Sequence, residues 1–138
     1  MEVTLHWKDG LTFAGFGAQK KEIAIDVIEE QGGHGSGASP MELTLMAVCG
    51  CSGMDIISIM QKKQQKVTAF EIKASGERSA DYPKVFTKVH IEYIFTGASL
   101  DPAAANRSVE LSLTKYCSVY PMLAKAIDFD TKVTIREG

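Results

Sequence analysis

The feature that most constrains this chain is a helical segment that runs from Pro40 to about Gln65. Between Leu43 and Met60 this segment is apolar on nearly every side, with Gly50 and Gly53 as small interruptions. A helix that is apolar all round and too short to span a bilayer is expected to be buried. One sheet cannot cover every side of such a helix, so we expect a second helix and a partner subunit to cover the rest, which predicts a homodimer.

The start of this helix is marked by Ser39-Pro40-Met41-Glu42. A serine at the N-cap, a proline at the first helical position and a glutamate at the third form a capping box. We expect the glycine-rich segment from Gln31 to Ala38, just before it, to be a flexible loop. The same cap-and-proline signal at Asp101-Pro102 predicts a helix to about Tyr116, and a shorter helix is predicted from Val119 to about Ala126.

Six runs of alternating apolar and polar residues predict strands. They are Val3–Trp7, Leu11–Phe16, Glu22–Ile28, Val67–Ser75, Val85–Thr96 and Phe129–Ile135. The first two are expected to form a hairpin, and the fourth and fifth a longer one. The element order is therefore βββ-α-ββ-αα-β, an α+β fold with a buried central helix. No linker divides the chain, so we expect a single domain over residues 1–138.

The charge balance and the cysteine count narrow the possible partners and the compartment. The 138 residues carry 15 basic and 17 acidic side chains, a net charge of −2, and no basic run offers the positive face that nucleic acid or an anionic membrane requires. The first residues lack the charged-then-apolar pattern of a signal peptide, which predicts a cytoplasmic location. In that compartment the three cysteines are expected to be free thiols.

These cysteines are the candidates for chemistry. Cys49 and Cys51 lie on the central helix, but at about 100° per residue their thiols point about 200° apart, so they form neither a dithiol motif nor a chelating pair. Cys117 lies beside a predicted helix N-terminus, which favours a thiolate. Each cysteine is equally consistent with a small buried hydrophobe. A peroxide-reducing pair needs a thiolate nucleophile and a second thiol that resolves its sulfenic acid, and Cys51 and Cys117 are candidates for these roles.

Two segments resemble the signature motifs of the OsmC/Ohr family. The first is Ser39-Pro40-Met41-Glu42-Leu43 followed by Ala47-Val48-Cys49-Gly50-Cys51-Ser52, and the second is Lys115-Tyr116-Cys117-Ser118-Val119. The order and distance of the two cysteine motifs are similar to those of the family. The YhfA-like branch looks most similar, since it shares Gly10-Leu11-Thr12-Phe13, Glu77-Arg78 and Phe86-Thr87.

This resemblance implies an OsmC-like fold in an intertwined homodimer, with central helices wrapped by sheets that contain strands of both chains. It also implies a thiol-dependent peroxidase that favours organic hydroperoxides. By position, Cys51 is then the peroxidatic thiol and Cys117 the resolving one, and a cellular dithiol reduces the resulting disulfide. Cys49 has no role in the family and is expected to be packing. No cofactor is implied, and His6 and His90 have no cysteine or carboxylate at metal-ligand spacing, so no metal is expected.

Two positions depart from the family pattern. The family places an arginine in the N-terminal strands and a glutamate two residues after the helix-start residue, where they activate the thiolate. Here no arginine precedes Arg78, and Met41 stands in the glutamate position. Arg78 and Glu42 are the candidate substitutes, and His34 in the glycine loop is a candidate base or peroxide donor. The simpler interpretation is that Arg78 is solvated at its hairpin, that Glu42 only caps the helix, and that His34 is a loop residue with no role in the chemistry.

The first functional hypothesis is therefore an OsmC-like peroxidase that reduces organic hydroperoxides through a Cys51 sulfenic acid resolved by Cys117. The alternative is a non-peroxidase dimer of the same fold that binds or senses a small apolar or thiol-containing molecule. A third possibility is a structural dimer with inert buried thiols. The partners expected under the first hypothesis are a second copy of the chain, a hydroperoxide and a dithiol reductant.

Overall fold

The computed structural model describes the whole chain from Met1 to Gly138. The strands are β1 (Thr4–Asp9), β2 (Thr12–Phe16), β3 (Glu22–Ile25), β4 (Ala69–Arg78), β5 (Phe86–Thr96) and β6 (Asp128–Arg136), and the helices are α1 (Pro40–Lys62), α2 (Pro102–Leu111) and α3 (Val119–Leu123). The predicted α+β class and the order of elements are confirmed. Two compact units, Met1–Thr44 and Leu45–Gly138, lie along the chain, and the single-domain organisation stays a prediction.

The N-terminal unit is an antiparallel sheet in the order β1-β2-β3. The prediction that the third strand reaches Ile28 is wrong, because β3 ends at Ile25. Ile25 forms an isolated bridge with Ala38, and the Asp26 N–H donates to the Ala38 carbonyl at 3.1 Å. These contacts draw the chain out of the sheet and into the glycine loop.

The C-terminal unit contains a second sheet, in the order β4-β5-β6. The predicted second hairpin is confirmed, since β4 and β5 pair antiparallel over their whole length. Strand β6 pairs parallel to β5, which the alternation pattern did not predict. Parallel neighbours require a crossover connection, and α2 and α3 lie in that connection. Strand β4 runs on to Arg78, beyond its predicted end, because Arg78 still pairs with Phe86.

Helix α1 starts at Pro40 as predicted and ends at Lys62, three residues before the predicted Gln65. Its end is a Schellman motif: Gln64 adopts a φ of 56°, and the Gln65 N–H donates to the Met60 carbonyl at 3.0 Å. Sequence patterning alone does not locate this stop, since no glycine marks it.

Within the C-terminal unit, α1 packs on the sheet through a stripe spaced four residues apart. Its members are Val48, Ser52, Ile56 and Met60, all at 0% exposure. The facing core is built from the buried β5 side chains Val89, Ile91, Tyr93 and Phe95. Gly53 allows the close approach, because a Cβ there would lie 2.6 Å from Ile72 Cδ1. Cys51 lies about 200° around the helix from Gly53, away from the sheet.

Part of the α1 surface stays open within one chain. Met46 is 56% and Met54 is 75% exposed. The most apolar 18-residue window of the helix has a mean hydropathy of 1.7, and 28% of it is buried. By length and composition α1 is therefore able to cross a membrane, which corrects the expectation that it is too short. Core helices of globular proteins meet the same criterion. The finding therefore shows that the surface of α1 is apolar, without distinguishing a lipid from a protein neighbour.

Candidate functional site

The structure brings Cys51 and Cys117 together within the C-terminal unit. Cys51 is half-buried on α1, and Cys117 is buried at 4% exposure between α2 and α3. Their side chains lie close enough for each to shift the pKa of the other. Two residues that are 66 positions apart in the sequence (117 − 51) are therefore direct neighbours.

A π-helical segment places Cys117. The predicted helix to Tyr116 is α-helical only to Leu111, and Ser112–Tyr116 continue it as a π-helix. The Cys117 N–H donates to the Ser112 carbonyl, five residues earlier, at 2.8 Å. Such segments are rare and occur often at functional sites. Here the wider turn ends directly at Cys117, which then takes an extended conformation with φ −68° and ψ 121°.

The start of α3 directs backbone N–H groups at the two sulfurs. The backbone N–H groups of Val119 and Ser118 lie near Cys51 and lower its pKa. The Tyr120 N–H lies 3.3 Å from Cys117 Sγ, to which it donates. The first N–H groups of a helix have no partner inside the helix, so these donors are free to hold a negative charge on sulfur.

These contacts shift the pKa values of the two thiols in opposite directions. Burial on its own raises the pKa of Cys51, but the hydrogen bonds from Val119, the Cys117 thiol and Ser118 outweigh it, so the pKa lies below its ordinary range. Burial raises the pKa of Cys117, and its hydrogen bond to Cys51 raises it further. The pair therefore favours a Cys51 thiolate beside a protonated Cys117, which is the arrangement of a nucleophile and a waiting second thiol.

Asp55 and Ser112 join α1 to the π-helical segment at this site. The Ser112 hydroxyl donates to Asp55 Oδ2 at 3.0 Å and lies 3.3 Å from the Ser52 carbonyl. Ser112 is fully buried and opens the π-helical segment, so the bond ties that segment to α1. The charge of Asp55, one turn after Cys51, raises the pKa of Cys51 and so works against the thiolate. No sequence signal indicates Ser112, because its contacts depend on a π-helix that hydrophobic periodicity does not reveal.

Cys49 faces a different neighbourhood, as its position on the helix predicts. It is half-buried, and burial raises its pKa. One turn further along the same side, the Ser52 hydroxyl lies 2.9 Å from the Tyr93 hydroxyl. Burial raises the pKa of Tyr93 to about 12, so this phenol is a neutral packing group. The expected packing role of Cys49 stays a prediction.

Arg78 is tied to its own hairpin. Its Nε donates to the Lys84 carbonyl at 2.8 Å, and the residue is exposed at the end of β4. The groups that set the pKa of Cys51 are Val119, Cys117, Ser118 and Asp55, with no arginine or lysine among them. Within one chain, the largest influences that lower the pKa of Cys51 come from hydrogen-bond donors and not from a cation.

In the N-terminal unit, Glu42 forms the predicted capping box. The Ser39 N–H donates to Glu42 Oε2 at 2.7 Å, and the Glu42 N–H donates to Ser39 Oγ at 3.2 Å. The hydrogen bonds from the Ser39 backbone and side chain lower the pKa of Glu42. Its carboxylate is therefore engaged at the helix start, in the simpler of the two roles considered for it.

His34 and the glycine loop are organised by Asp26, which the sequence did not single out. Asp26 is 1% exposed and accepts hydrogen bonds from the Ser36 hydroxyl and from the N–H groups of Val27, His34 and Ser36. The Ser36 hydroxyl, followed by these backbone donors, holds the pKa of Asp26 far below its usual range. The His34 ring lies 2.9 Å from Asp9 Oδ1. The loop is thus a structured turn around a buried carboxylate, and not the free loop expected from its glycines.

No three His, Cys, Asp or Glu side chains lie close enough together to hold a metal ion. The expectation that the protein needs neither a metal nor a cofactor stays a prediction.

Comparisons with known proteins give the chain a family. The family model described as OsmC-like protein matches residues 33–132. Protein YhfA of Escherichia coli is 43% identical over 129 residues, 93% of this chain and 92% of that protein. A hypothetical protein of Aquifex aeolicus is 30% identical with a TM-score of 0.87, covering 99% and 96% of the two chains. The organic hydroperoxide resistance protein OsmC of Legionella pneumophila shares the fold, with 15% identity, a TM-score of 0.71 and coverage of 96% and 95%. This chain belongs to the OsmC family.

Proposed function

We propose that this protein is a thiol peroxidase that reduces organic hydroperoxides, with Cys51 as the nucleophile and Cys117 as the resolving thiol. The observation that carries the proposal is the juxtaposition of Cys51 and Cys117, with the N–H groups of Ser118 and Val119 beside Cys51 and that of Tyr120 bonded to Cys117 Sγ. The Legionella pneumophila protein of the same fold is an organic hydroperoxide resistance protein, which is consistent with this chemistry.

The reaction proceeds in two steps. The Cys51 thiolate attacks the terminal oxygen of the hydroperoxide, the O–O bond breaks, and the alkoxide takes a proton and leaves as an alcohol. This oxidises Cys51 to a sulfenic acid. The Cys117 sulfur then attacks the Cys51 sulfur, the S–O bond breaks, and the hydroxyl leaves as water with the Cys117 proton. The product is a Cys51–Cys117 disulfide, which a thiol reductant returns to two thiols.

The geometry supports the second step in particular. A disulfide requires Cα atoms within about 7 Å, and Cys51 and Cys117 lie near enough for each to shift the pKa of the other, which favours formation of the bond between them. The raised pKa of Cys117 keeps it protonated until Cys51 has been oxidised. A protonated resolving thiol does not compete for the peroxide, because the thiolate is the nucleophilic form.

The test is the reaction of fully reduced protein with one equivalent of cumene hydroperoxide, followed by intact and peptide mass analysis. We expect rapid loss of two thiols and a Cys51–Cys117 disulfide peptide. Cys51→Ser abolishes turnover, and Cys117→Ser stops at a Cys51 sulfenic acid that a dimedone probe traps. Cys49→Ser is the matched control, two residues from Cys51 on the same helix, and should leave the rate nearly intact.

Two outcomes contradict the proposal. Thiols that stay reduced at stoichiometric peroxide exclude the peroxidase. Equal loss of turnover in Cys49→Ser and Cys51→Ser means that the nucleophile has been assigned to the wrong position.

A second candidate function is a non-peroxidase dimer that binds or senses a small thiol-containing or apolar molecule. The observation that favours it is electrostatic: the one charged group among the largest influences on the pKa of Cys51 is the carboxylate of Asp55, which works against the thiolate. A guanidinium beside the thiolate would both stabilise it and hold the peroxide. The cumene hydroperoxide experiment separates the two candidates, since only the peroxidase loses two thiols at stoichiometric peroxide.

The proposed assembly is an intertwined homodimer in the cytoplasm. The apolar faces of α1 that one chain leaves open, with Met46 and Met54 well exposed, support a partner subunit there. Free thiols at all three cysteines are the state expected in a reducing compartment.

A further inference from the structure

A cavity of about 400 Å³ lies in the C-terminal unit, beside the thiol site. Its walls come from α1 and from the α2 and π-helical segments, and they include Met54, Asp55, Ile59, Lys62, Leu111 and Tyr116. The proposed peroxidase chemistry uses none of these groups directly. The charged and apolar side chains that line the cavity therefore have no direct role in that chemistry.

The cavity follows the face of α1 that carries Cys51. Asp55, Ser58 and Lys62 come four, seven and eleven residues after Cys51, and these spacings return to within about 40° of the same direction on a helix. At 1.5 Å per residue, Asp55 stands about 6 Å and Lys62 about 16 Å along the axis from Cys51. Cys51 is not part of the lining, so a molecule in the cavity meets the carboxylate first and then the ammonium, and its end at Asp55 lies about one helical turn from the reactive sulfur.

The two charged groups have unused binding capacity. Asp55 accepts the Ser112 hydroxyl at Oδ2 only, so Oδ1 is left for another donor. Neither Asp55 nor Lys62 takes part in an ion pair of the chain. Asp55 is half-buried, and a half-buried carboxylate without a cation costs free energy that a ligand ammonium would recover.

An ammonium at Asp55 also changes the thiol. The unpaired carboxylate works against a Cys51 thiolate, and a bound positive charge cancels that effect. By linkage, a ligand that binds more tightly to the thiolate state increases the population of that state by the same factor. The ligand would then supply at Asp55 the cation that no arginine or lysine of one chain supplies to Cys51.

We propose that this cavity binds a small thiol carrying an ammonium and a carboxylate, with the ammonium at Asp55 and the carboxylate at Lys62, and that this thiol reduces oxidised Cys51. The proposal rests on the proposed function only in taking Cys51 as the reactive thiol. The thiolate of the ligand attacks the Cys51 sulfur, the bond to Cys117 breaks, and Cys117 takes the proton. A second ligand thiol then attacks the ligand sulfur of the mixed disulfide, which frees Cys51 and releases the ligand disulfide. Two monothiols thus deliver the two electrons that a dithiol would deliver.

The test measures thiol exchange at Cys51 without any peroxide. In a Cys49→Ser, Cys117→Ser background, Cys51 is converted to its mixed disulfide with neutral 2-thiopyridine, and release of the pyridine thione by an added thiol is followed by absorbance. The four probes are cysteine, cysteamine, 3-mercaptopropionate and 2-mercaptoethanol. Each rate is divided by the rate of the same thiol with a thiopyridyl peptide, which removes differences in intrinsic reactivity.

We expect cysteine and cysteamine to exceed 2-mercaptoethanol by about two- to fivefold after this correction, the range of one partly exposed ion pair. Asp55→Asn, which keeps an acceptor for Ser112, should remove the advantage of the ammonium-bearing thiols. Lys62→Gln should remove only the part of the rate advantage that the carboxylate group gives to cysteine and 3-mercaptopropionate. The matched controls are Asp81→Asn and Lys63→Gln, two exposed charges outside the cavity.

Equal corrected rates for all four probes, or preferences that survive Asp55→Asn and Lys62→Gln, would overturn the proposal. Lys62 is exposed at the helix end, so its variant tests the site even where Asp55→Asn unfolds. Because no peroxide is present, a protein that exchanges selectively but does not reduce cumene hydroperoxide retains this site and loses only the proposed peroxidase activity.

Discussion

At the scale of single residues, the acidity of Cys51 is a balance between backbone donors and one carboxylate. Because the charge of Asp55 raises the pKa of Cys51, Asp55→Asn should lower it and move the pH profile of the thiolate to lower pH. The measurement is the rate of iodoacetamide alkylation of Cys51 against pH, read from peptide masses. We expect the half-maximal rate at a lower pH in the variant and an unchanged profile in Asp81→Asn.

The same experiment contains an internal comparison. Burial raises the pKa of Cys49, so Cys49 should be alkylated only at higher pH than Cys51, in the native chain and in the variant alike. A Cys51 profile that does not move in Asp55→Asn, or that coincides with the Cys49 profile, contradicts this account of the site.

The sequence identified the two thiols as candidates but did not identify the polar residues that organise their surroundings or the glycine loop. Cys51 and Cys117 stand out because their motifs have a recognisable spacing. Ser112 and Asp26 do not, because a serine or an aspartate acquires its role only from the donors and acceptors that the fold brings to it. The placement of Asp26 depends on a turn that brings Ser36 back to it across ten residues, and hydrophobic periodicity carries no information about such a contact.

At the scale of elements, local sequence signals were sufficient to predict the order of the helices and strands and to locate most of their ends approximately. The capping box at Ser39 and the cap at Asp101, whose side chain accepts from the Ala103 N–H at 2.9 Å, mark two helix starts in the sequence itself. The switch from α- to π-helix at Ser112 and the parallel pairing of β6 were not predictable, since both follow from packing between distant segments. The predicted α3 to about Ala126 ends at Leu123, where the N–H groups of Ala126 and Ile127 both donate to the Leu123 carbonyl and close a turn.

The glycine loop gives a prediction at this scale. A Cβ at Gly37 would lie 2.3 Å from the Ala24 carbonyl oxygen, a backbone atom that cannot move aside. Gly37→Ala should therefore lower the free energy of unfolding by about 1–3 kcal/mol, the usual cost of overpacking, measured by urea unfolding. Gly17→Ala is the control, because nothing lies within 4 Å of a Cβ there, and its effect should stay within about 0.5 kcal/mol. Equal stability of the two variants would show that the loop adjusts freely.

At the scale of the whole molecule, one chain leaves apolar surface uncovered in both units. In the N-terminal unit every residue of β1 is exposed, with Leu5 at 51% and Trp7 at 66%. In the C-terminal unit α1 exposes Met46 and Met54. Exposed apolar side chains concentrated on an edge strand and on one helix are typical of a protein interface. The sequence predicted such a surface from α1 alone, since no single sheet covers a helix that is apolar all round.

The homodimer prediction is tested by sedimentation equilibrium. We expect the native chain to sediment at twice the 15.0 kDa of one chain. Met46→Glu would place a charge where the partner is expected to bury α1, and an unpaired buried charge costs several kcal/mol, so the dimer should weaken by at least about tenfold. Lys125→Glu introduces the same residue at another exposed position and should leave the dimer intact. A native chain that sediments as a monomer contradicts the dimer, and a Met46→Glu variant as tightly dimeric as Lys125→Glu would mean that the partner covers a surface other than this face of α1.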